Sequence, residues 1–221
     1  MILLLSDFTD HDNEELLSEI RNIFSDRTYS IAYIPSTTDY TLKHFDNVKQ
    51  HLTEYGKFEI LMYDIDTTVN QTTIDGIFKS DLIYFSGGNP FYFLNNIKKI
   101  NLIQRVREFY QNGGNLIGLS AGGILMADTI GSSYFGSENT VNLQDITAFA
   151  FIDFEIMPHW KCTCKFLKEL LDYTDRTKQK VVTMNDGDGI VIDNKRRRLF
   201  GEFQIIENGA IRVIEDNERR E

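Results

Sequence analysis

The sequence predicts an α/β fold: a mostly parallel sheet covered by helices on both faces, with hairpin strands added towards the C-terminus. Three observations carry this. Short runs rich in Ile, Leu, Val, Tyr and Phe alternate with stretches whose apolar residues recur every three or four positions. The short runs are nearly continuously apolar, the pattern of strands buried on both faces. With 221 residues, 42% of them hydrophobic, three prolines and no repeat or low-complexity linker, the chain suits one domain over 1–221. Within it, 1–130 reads as the parallel part and 131–221 as the part that carries the hairpins.

Strands are expected at 2–5, 29–34, 59–63, 82–85 and 116–119, and helices between them at 14–24, 42–55, 74–78 and 102–111. The first helix places Leu16, Leu17, Ile20, Ile23 and Phe24 on one stripe. Asn89 before Pro90 marks another helix start. Asn accepts from the unpaired N–H groups of a first turn, and Pro fits the first helical position. A further apolar run at 154–157 reads as a strand ending in Pro158-His159. The last third changes character, with short strands at 181–184, 189–193, 198–200, 204–207 and 211–214. Asn194-Lys195 and Asn208-Gly209 are its turns, and Asn-Gly between apolar runs is a strong hairpin signal. This meander is expected to extend the sheet or pack at its edge, and the charged end 215–221 to fray.

The formal net charge of −10 and a pI near 4.9 repel phosphate backbones, which argues against nucleic acid as a partner. The only basic cluster, Lys195-Arg196-Arg197-Arg198, sits between apolar runs and reads as a solvated hairpin turn. Met1-Ile2-Leu3-Leu4-Leu5-Ser6-Asp7 is too short and too soon acidic for a signal peptide, and no apolar run reaches membrane-spanning length. A cytoplasmic protein without membrane contact is expected. Cys162 and Cys164, one residue apart, are poorly spaced for a mutual disulfide and have only His159 nearby as a further metal ligand. They read as reduced thiols at a helix start.

Gly118-Leu119-Ser120-Ala121-Gly122 is the most informative stretch. It follows an apolar run and precedes a helix-compatible one, Gly123-Ile124-Leu125-Met126-Ala127. A strand, a tight turn and a helix would lift the Ser120 hydroxyl clear of the backbone and aim the Ala121 N–H at the same spot. Ligands of parallel α/β sheets gather beyond the carboxyl ends of the strands. Ser86-Gly87-Gly88-Asn89-Pro90 and Pro158-His159-Trp160 follow two other such ends. Gly88 there offers a second N–H for an oxyanion. Among the histidines, His11 sits in an acidic loop, and His44 and His51 lie seven apart on a helix as a surface stripe. His159 alone follows an apolar strand downstream of the serine, where it can act as the base that Ser120 needs. The acid that orients it is Asp186, at the end of 181–184, with Asp188 and Glu138 as rivals.

Gly118-Leu119-Ser120-Ala121-Gly122-Gly123, the upstream Gly87-Gly88-Asn89 and Pro158-His159, in this order, resemble the peptidase E family (peptidase family S51), which includes cyanophycinases. The resemblance runs over nearly the whole chain. It implies a flavodoxin-like three-layer α/β/α sandwich related to class I glutamine amidotransferases, and a serine peptidase needing no metal or organic cofactor. It implies Ser120 as nucleophile, His159 as general base, and the Gly88 and Ala121 amides as the oxyanion hole. Asp186 matches the position of the family's acid, which is usually Glu, while Glu138 occupies the loop after the serine helix. Peptidase E is of similar size and cleaves dipeptides and short peptides after an N-terminal aspartate. Selecting that side chain calls for a cation. No arginine here matches, so Lys161, or else Lys165, is the candidate, with Asn89 beside it as a substrate-binding residue. A short peptide is the expected partner, and a monomer or homodimer the expected assembly.

Two other readings stand beside this one. An α/β-hydrolase esterase shares the Gly-x-Ser-x-Gly turn but orders its acid before its histidine, where Asp145 or Asp153 would serve. A non-catalytic peptide- or small-molecule-binding module on the same scaffold is the other.

Overall fold

The computed structural model describes residues 1–7, 13–67, 69–194, 196–214 and 218. His11, the turn residue Lys195 and most of the charged end lie outside the described residues. The first half alternates as expected: β1 (Ile2–Leu5), α1 (Glu14–Ile23), β2 (Thr28–Ile34), α2 (Lys43–Leu52), β3 (Lys57–Met62), α3 (Gln71–Ile77), β4 (Leu82–Phe85), α4 (Pro90–Lys99), α5 (Leu102–Gln111) and β5 (Asn115–Leu119). Then come α6 (Ala121–Ile124), a 3-10 turn at Gly131–Phe135, β6 (Glu155–Met157), α7 (Trp160–Thr163), a second 3-10 turn at Cys164–Phe166 and α8 (Leu167–Thr177). The chain closes with β7 (Val181–Thr183), β8 (Gly189–Asp193), β9 (Arg196–Phe200), β10 (Gln204–Glu207) and β11 (Ala210–Val213).

A seven-stranded sheet runs in the order β3-β2-β4-β5-β1-β8-β9. Its first five strands are parallel; β8 and β9 continue it antiparallel beyond β1. Successive side chains of a strand face opposite ways, and β1 divides accordingly. Ile2 and Leu4 join a core with Phe91, Leu94, Ile97, Leu102 and Val106 of α4 and α5. Leu3 and Leu5 join a second core with Leu16, Leu17, Ile20, Val48 and Leu52 of α1 and α2. Helices therefore cover both faces, which is why every β1 residue had to be apolar. The sandwich is three layers deep, as the sequence predicts.

The meander does not act as one unit. The β8–β9 hairpin extends the large sheet, whereas β10 and β11 join β7 and β6 in a separate four-stranded sheet, ordered β11-β10-β7-β6. The switch falls at Gly201, whose φ of +122° is closed to other residues, and at the buried Phe203. The Asn208-Gly209 turn takes φ of 51° and 73°, the two positive angles a two-residue hairpin needs. The helix expected after Ser120 is a single turn, α6, not a full helix. Two consecutive glycines weaken it, and the chain then folds back so that Ala127 bridges Ile152. Among the described residues no helix is long and apolar enough to cross a membrane.

Candidate active site

Ser120 stands between β5 and α6 with φ 46° and ψ −108°, a backbone conformation that costs a non-glycine residue energy and persists only when neighbours enforce it. Three hydrogen bonds do so. Ser120 N–H donates to Leu5 O at 2.8 Å, Gly122 N–H to Ser86 O at 3.0 Å and Ile124 N–H to Ser120 O at 3.0 Å. The flanking glycines are steric necessities. A Cβ on Gly122 would lie 2.1 Å from Phe85 O, and one on Gly118 would lie 2.7 Å from the Gly122 backbone. The turn thus exists because α6 is pressed against β4 and β5 with no side chain between them.

Ser120 Oγ lies 3.0 Å from His159 Nε2, and His159 Nδ1 lies 2.5 Å from Asp186 Oδ1. With a carboxylate at Nδ1, the proton belongs on Nδ1 and Nε2 is left as the acceptor facing the serine hydroxyl. His159 caps α7 at φ 55°. It is anchored by Trp160 N–H donating to Met184 O at 2.9 Å and by Trp160 Nε1–H donating to Gln204 Oε1 at 2.9 Å. The second sheet, through β7 and β10, therefore holds the imidazole.

Of the three acids weighed from sequence, only Asp186 reaches His159. Asp188 is buried, with Asn185 N–H donating to its carboxylate at 2.8 Å and Gly201 packed against it. Burial pushes its carboxyl up to about 6. It braces the β7–β8 turn. Glu138 is exposed, and its backbone carbonyl accepts from Asn89 Nδ2 at 2.8 Å. Asp145 and Asp153 are held elsewhere, by Lys98 at 2.6 Å and Arg197 at 2.5 Å.

Asn89 Oδ1 accepts from Phe91 N–H and Tyr92 N–H, both at 3.0 Å, so its side chain serves the start of α4 and the 138 loop. Gly88, at φ +137°, is exposed, and a Cβ there would strike Ser36 Oγ. Ala121 is the first residue of α6, where an N–H has no partner within the helix. Lys161 and Lys165 are exposed on α7 and just beyond it, and among the described residues neither lines the cleft beside the serine. Cys162 and Cys164 are free and exposed.

That cleft, of about 570 Å³, runs from Gly87, Gly88 and Leu119 outward to α2. His44 and His51 line it, so the pair is cleft wall and not the outward stripe that their spacing suggested. Its floor holds Tyr33, whose phenol burial pushes up to about 12.

Two residues of this site escaped the sequence reading. Ser6, fully buried at the end of β1, accepts from His159 N–H at 2.9 Å and has Asp186 Oδ1 at 3.2 Å and Met184 O at 3.4 Å as acceptors. Asp7 follows it and lines the cleft. One ligand atom each of Asp7, His159 and Asp186 lie within 4.8 Å of one another, a spacing that could hold a cation, although His159 and Asp186 already engage each other. The available signal was positional: Ser6-Asp7 ends a strand beside β5 at the rim where Ser120 stands.

A three-layer α/β sandwich with a strained serine turn hydrogen-bonded to a histidine, which is bonded in turn to an aspartate, is the arrangement of hydrolases that work from a nucleophile elbow. The profile of peptidase family S51 matches residues 2–200, and the chain belongs to that family. An uncharacterized peptidase of Pasteurella multocida is 30% identical over 135 residues, 59% of this chain and 65% of that protein, a little under two thirds of its length. Peptidase E of a Nostoc species is 25% identical over 167 residues, 72% of this chain and 65% of that protein. A Listeria monocytogenes protein whose crystal structure carries the provisional name peptidase E superposes with a TM-score of 0.72 at 21% identity, covering 97% of this chain and 98% of that one. A peptidase from an acI-B1 actinobacterium gives 0.69 at 18% identity, covering 96% and 93%. These likenesses agree with a flavodoxin-like fold.

Proposed function

We propose that the chain hydrolyses short peptides by acyl transfer through Ser120. The observation that carries this reading is the hydrogen-bonded line from Ser120 through His159 to Asp186 on a strained elbow. His159 Nε2 takes the hydroxyl proton as Oγ attacks the scissile carbonyl, and Asp186 stabilises the imidazolium that forms. The Gly88 and Ala121 amides receive the oxyanion, each worth about 3 kcal/mol to the transition state. His159 then protonates the departing amine, which carries away the C-terminal part of the peptide. Water, deprotonated by the same nitrogen, releases the acyl group and returns the proton to Ser120. No step calls on a metal or organic cofactor.

An N-terminal aspartate as the preferred first residue is the finer proposal, and it rests on the resemblance to the peptidase E family, of which one relative carries the name. In the described lining of the cleft, groups able to meet its carboxylate include the His44 and His51 imidazoles, the Asn47 amide and the hydroxyls of Ser36, Thr37 and Thr38. A cytoplasmic location, and a monomer or homodimer that engages neither membrane nor nucleic acid, complete the reading on grounds of composition.

Hydrolysis of Asp-Leu and Ala-Leu by wild type and Ser120→Ala tests it. Cleavage that falls by at least three orders of magnitude in the variant supports the nucleophile. Equal turnover of the two peptides would sink the aspartate preference. Peptide binding without turnover, unchanged by Ser120→Ala, would support a binding module instead.

A further inference from the structure

The geometry points to Asp7 as the group that receives the free α-ammonium of the substrate, which would make the enzyme one that reads unblocked amino termini. This rests on the reading of Ser120 as the nucleophile and deepens it. Asp7 belongs to two sets of residues at once. It lines the cleft with Gly87, Gly88 and Leu119, and its carboxylate lies within 4.8 Å of ligand atoms of both His159 and Asp186. It therefore joins the cleft to the histidine and the acid of the triad.

The chemistry of a peptide fixes what must lie there. In the first residue of a chain the ammonium nitrogen is separated from the scissile carbonyl carbon by one Cα, a distance of about 2.5 Å. A carbonyl in reach of Ser120 Oγ therefore carries its ammonium to within a hydrogen bond's length of the surrounding wall. The ammonium is a charged three-donor group that needs an anionic acceptor when taken from water. Asp7 is the half-buried carboxylate on that wall.

The charge of the rest of the cleft agrees. Its described lining carries the carboxylates of Asp7 and Asp39, the imidazoles of His44 and His51, and no lysine or arginine. Asp39 is tied to the start of α2, accepting from Phe45 N–H at 3.0 Å and from the Thr41 hydroxyl at 3.3 Å. Asp7, by contrast, stands beside the triad. With its imidazoles neutral the described lining is net negative, and of its two carboxylates Asp7 is the one grouped with His159 and Asp186, away from the imidazoles of α2. Because an ionised carboxylate offers about four acceptor sites, Asp7 can hold an ammonium beside partners it already has.

Binding to Ser120→Ala, which retains the cleft but cannot turn over substrate, tests the assignment by calorimetry. Ala-Leu and Asp-Leu are each compared with their N-acetyl forms, in Ser120→Ala and in Ser120→Ala/Asp7→Asn. A charge-assisted hydrogen bond predicts that the free-amine peptides bind roughly tenfold or more tightly than the acetylated ones. Asp7→Asn, nearly the same in shape, should erase that difference while leaving the acetylated peptides as they were. Equal binding of free and acetylated peptides would overturn the assignment, as would discrimination that survives Asp7→Asn, or no binding of either form. Hydrolysis by the wild type, measured in parallel, keeps the two readings apart. Discrimination without any cleavage leaves Asp7 standing and removes the peptidase mechanism; cleavage without discrimination removes only Asp7.

Discussion

Ser6 is the residue whose role is least visible in the sequence and most constrained in the structure. Its hydroxyl meets the His159 backbone and the Asp186 carboxylate but not the reacting atoms, so it is a positioning residue. Ser6→Ala is expected to lower kcat about tenfold with little change in KM, and Ser6→Thr to restore part of it; a loss confined to KM would contradict this. Asp188 makes a separate prediction. Its carboxyl ionises near 6 in the folded chain, against 3.8 for an unperturbed one, so between these values the folded state binds more protons than the unfolded. Its contribution to stability therefore falls as pH rises from about 4 to about 6 and is flat outside that window. Urea unfolding of Asp188→Asn across that window should show this part of the slope removed. The meeting of Ser120, His159 and Asp186 was legible because the chemistry proposed for a nucleophile demands a base and an acid, and each followed an apolar run. Ser6 was not, because a serine after a strand has many roles and its partners lie more than 150 residues away.

At the scale of elements, the elbow depends on close approach. Gly122→Ala sets a Cβ against the Phe85 carbonyl, where backbone cannot yield. It is expected to cost about 3 kcal/mol or more, read as a lower midpoint in denaturant, and to remove activity even where the chain still folds. Neutral behaviour of this variant would mean that α6 does not sit against β4 as described. The alternating strands and helices were legible because local periodicity encodes them: Leu102–Gln111 appears over the residues its apolar spacing marks. The shortness of α6 was not, since residues 123–127 are apolar enough for a helix and the pairing of Ala127 with Ile152 that ends it is set by a distant segment. The wall position of His44 and His51 was likewise hidden, because the cleft is formed by what packs opposite α2.

For the whole molecule, the division of labour between the two sheets is the main lesson. The large sheet carries Ser120, Gly88, Ser6 and Asp7 at the ends of its strands, while the small sheet delivers His159 after β6 and Asp186 after β7. The sequence order of the hairpins does not disclose that split, since strand pairing is set by distant apolar faces, not by the turns between them. The buried Glu155 on β6 locks the small sheet in place. It accepts from Gly131 N–H at 3.0 Å, Ser132 N–H at 2.7 Å and the Tyr173 hydroxyl at 3.0 Å, with the Thr129 hydroxyl also bonded. Glu155→Ala leaves these donors unpaired in the interior and is expected to cost about 3 kcal/mol or more. Thermal unfolding checks the loss, and an unchanged midpoint would show that the small sheet is held by other contacts.

The central claim is that both sheets converge to make Ser120 a nucleophile activated by His159. Treatment with a fluorophosphonate, followed by mass-spectrometric location of the adduct in wild type and His159→Ala, tests it most directly. The account predicts a single adduct on Ser120 in wild type and its loss or severe slowing in the variant. No adduct, an adduct on another residue, or equal labelling without His159 would contradict it.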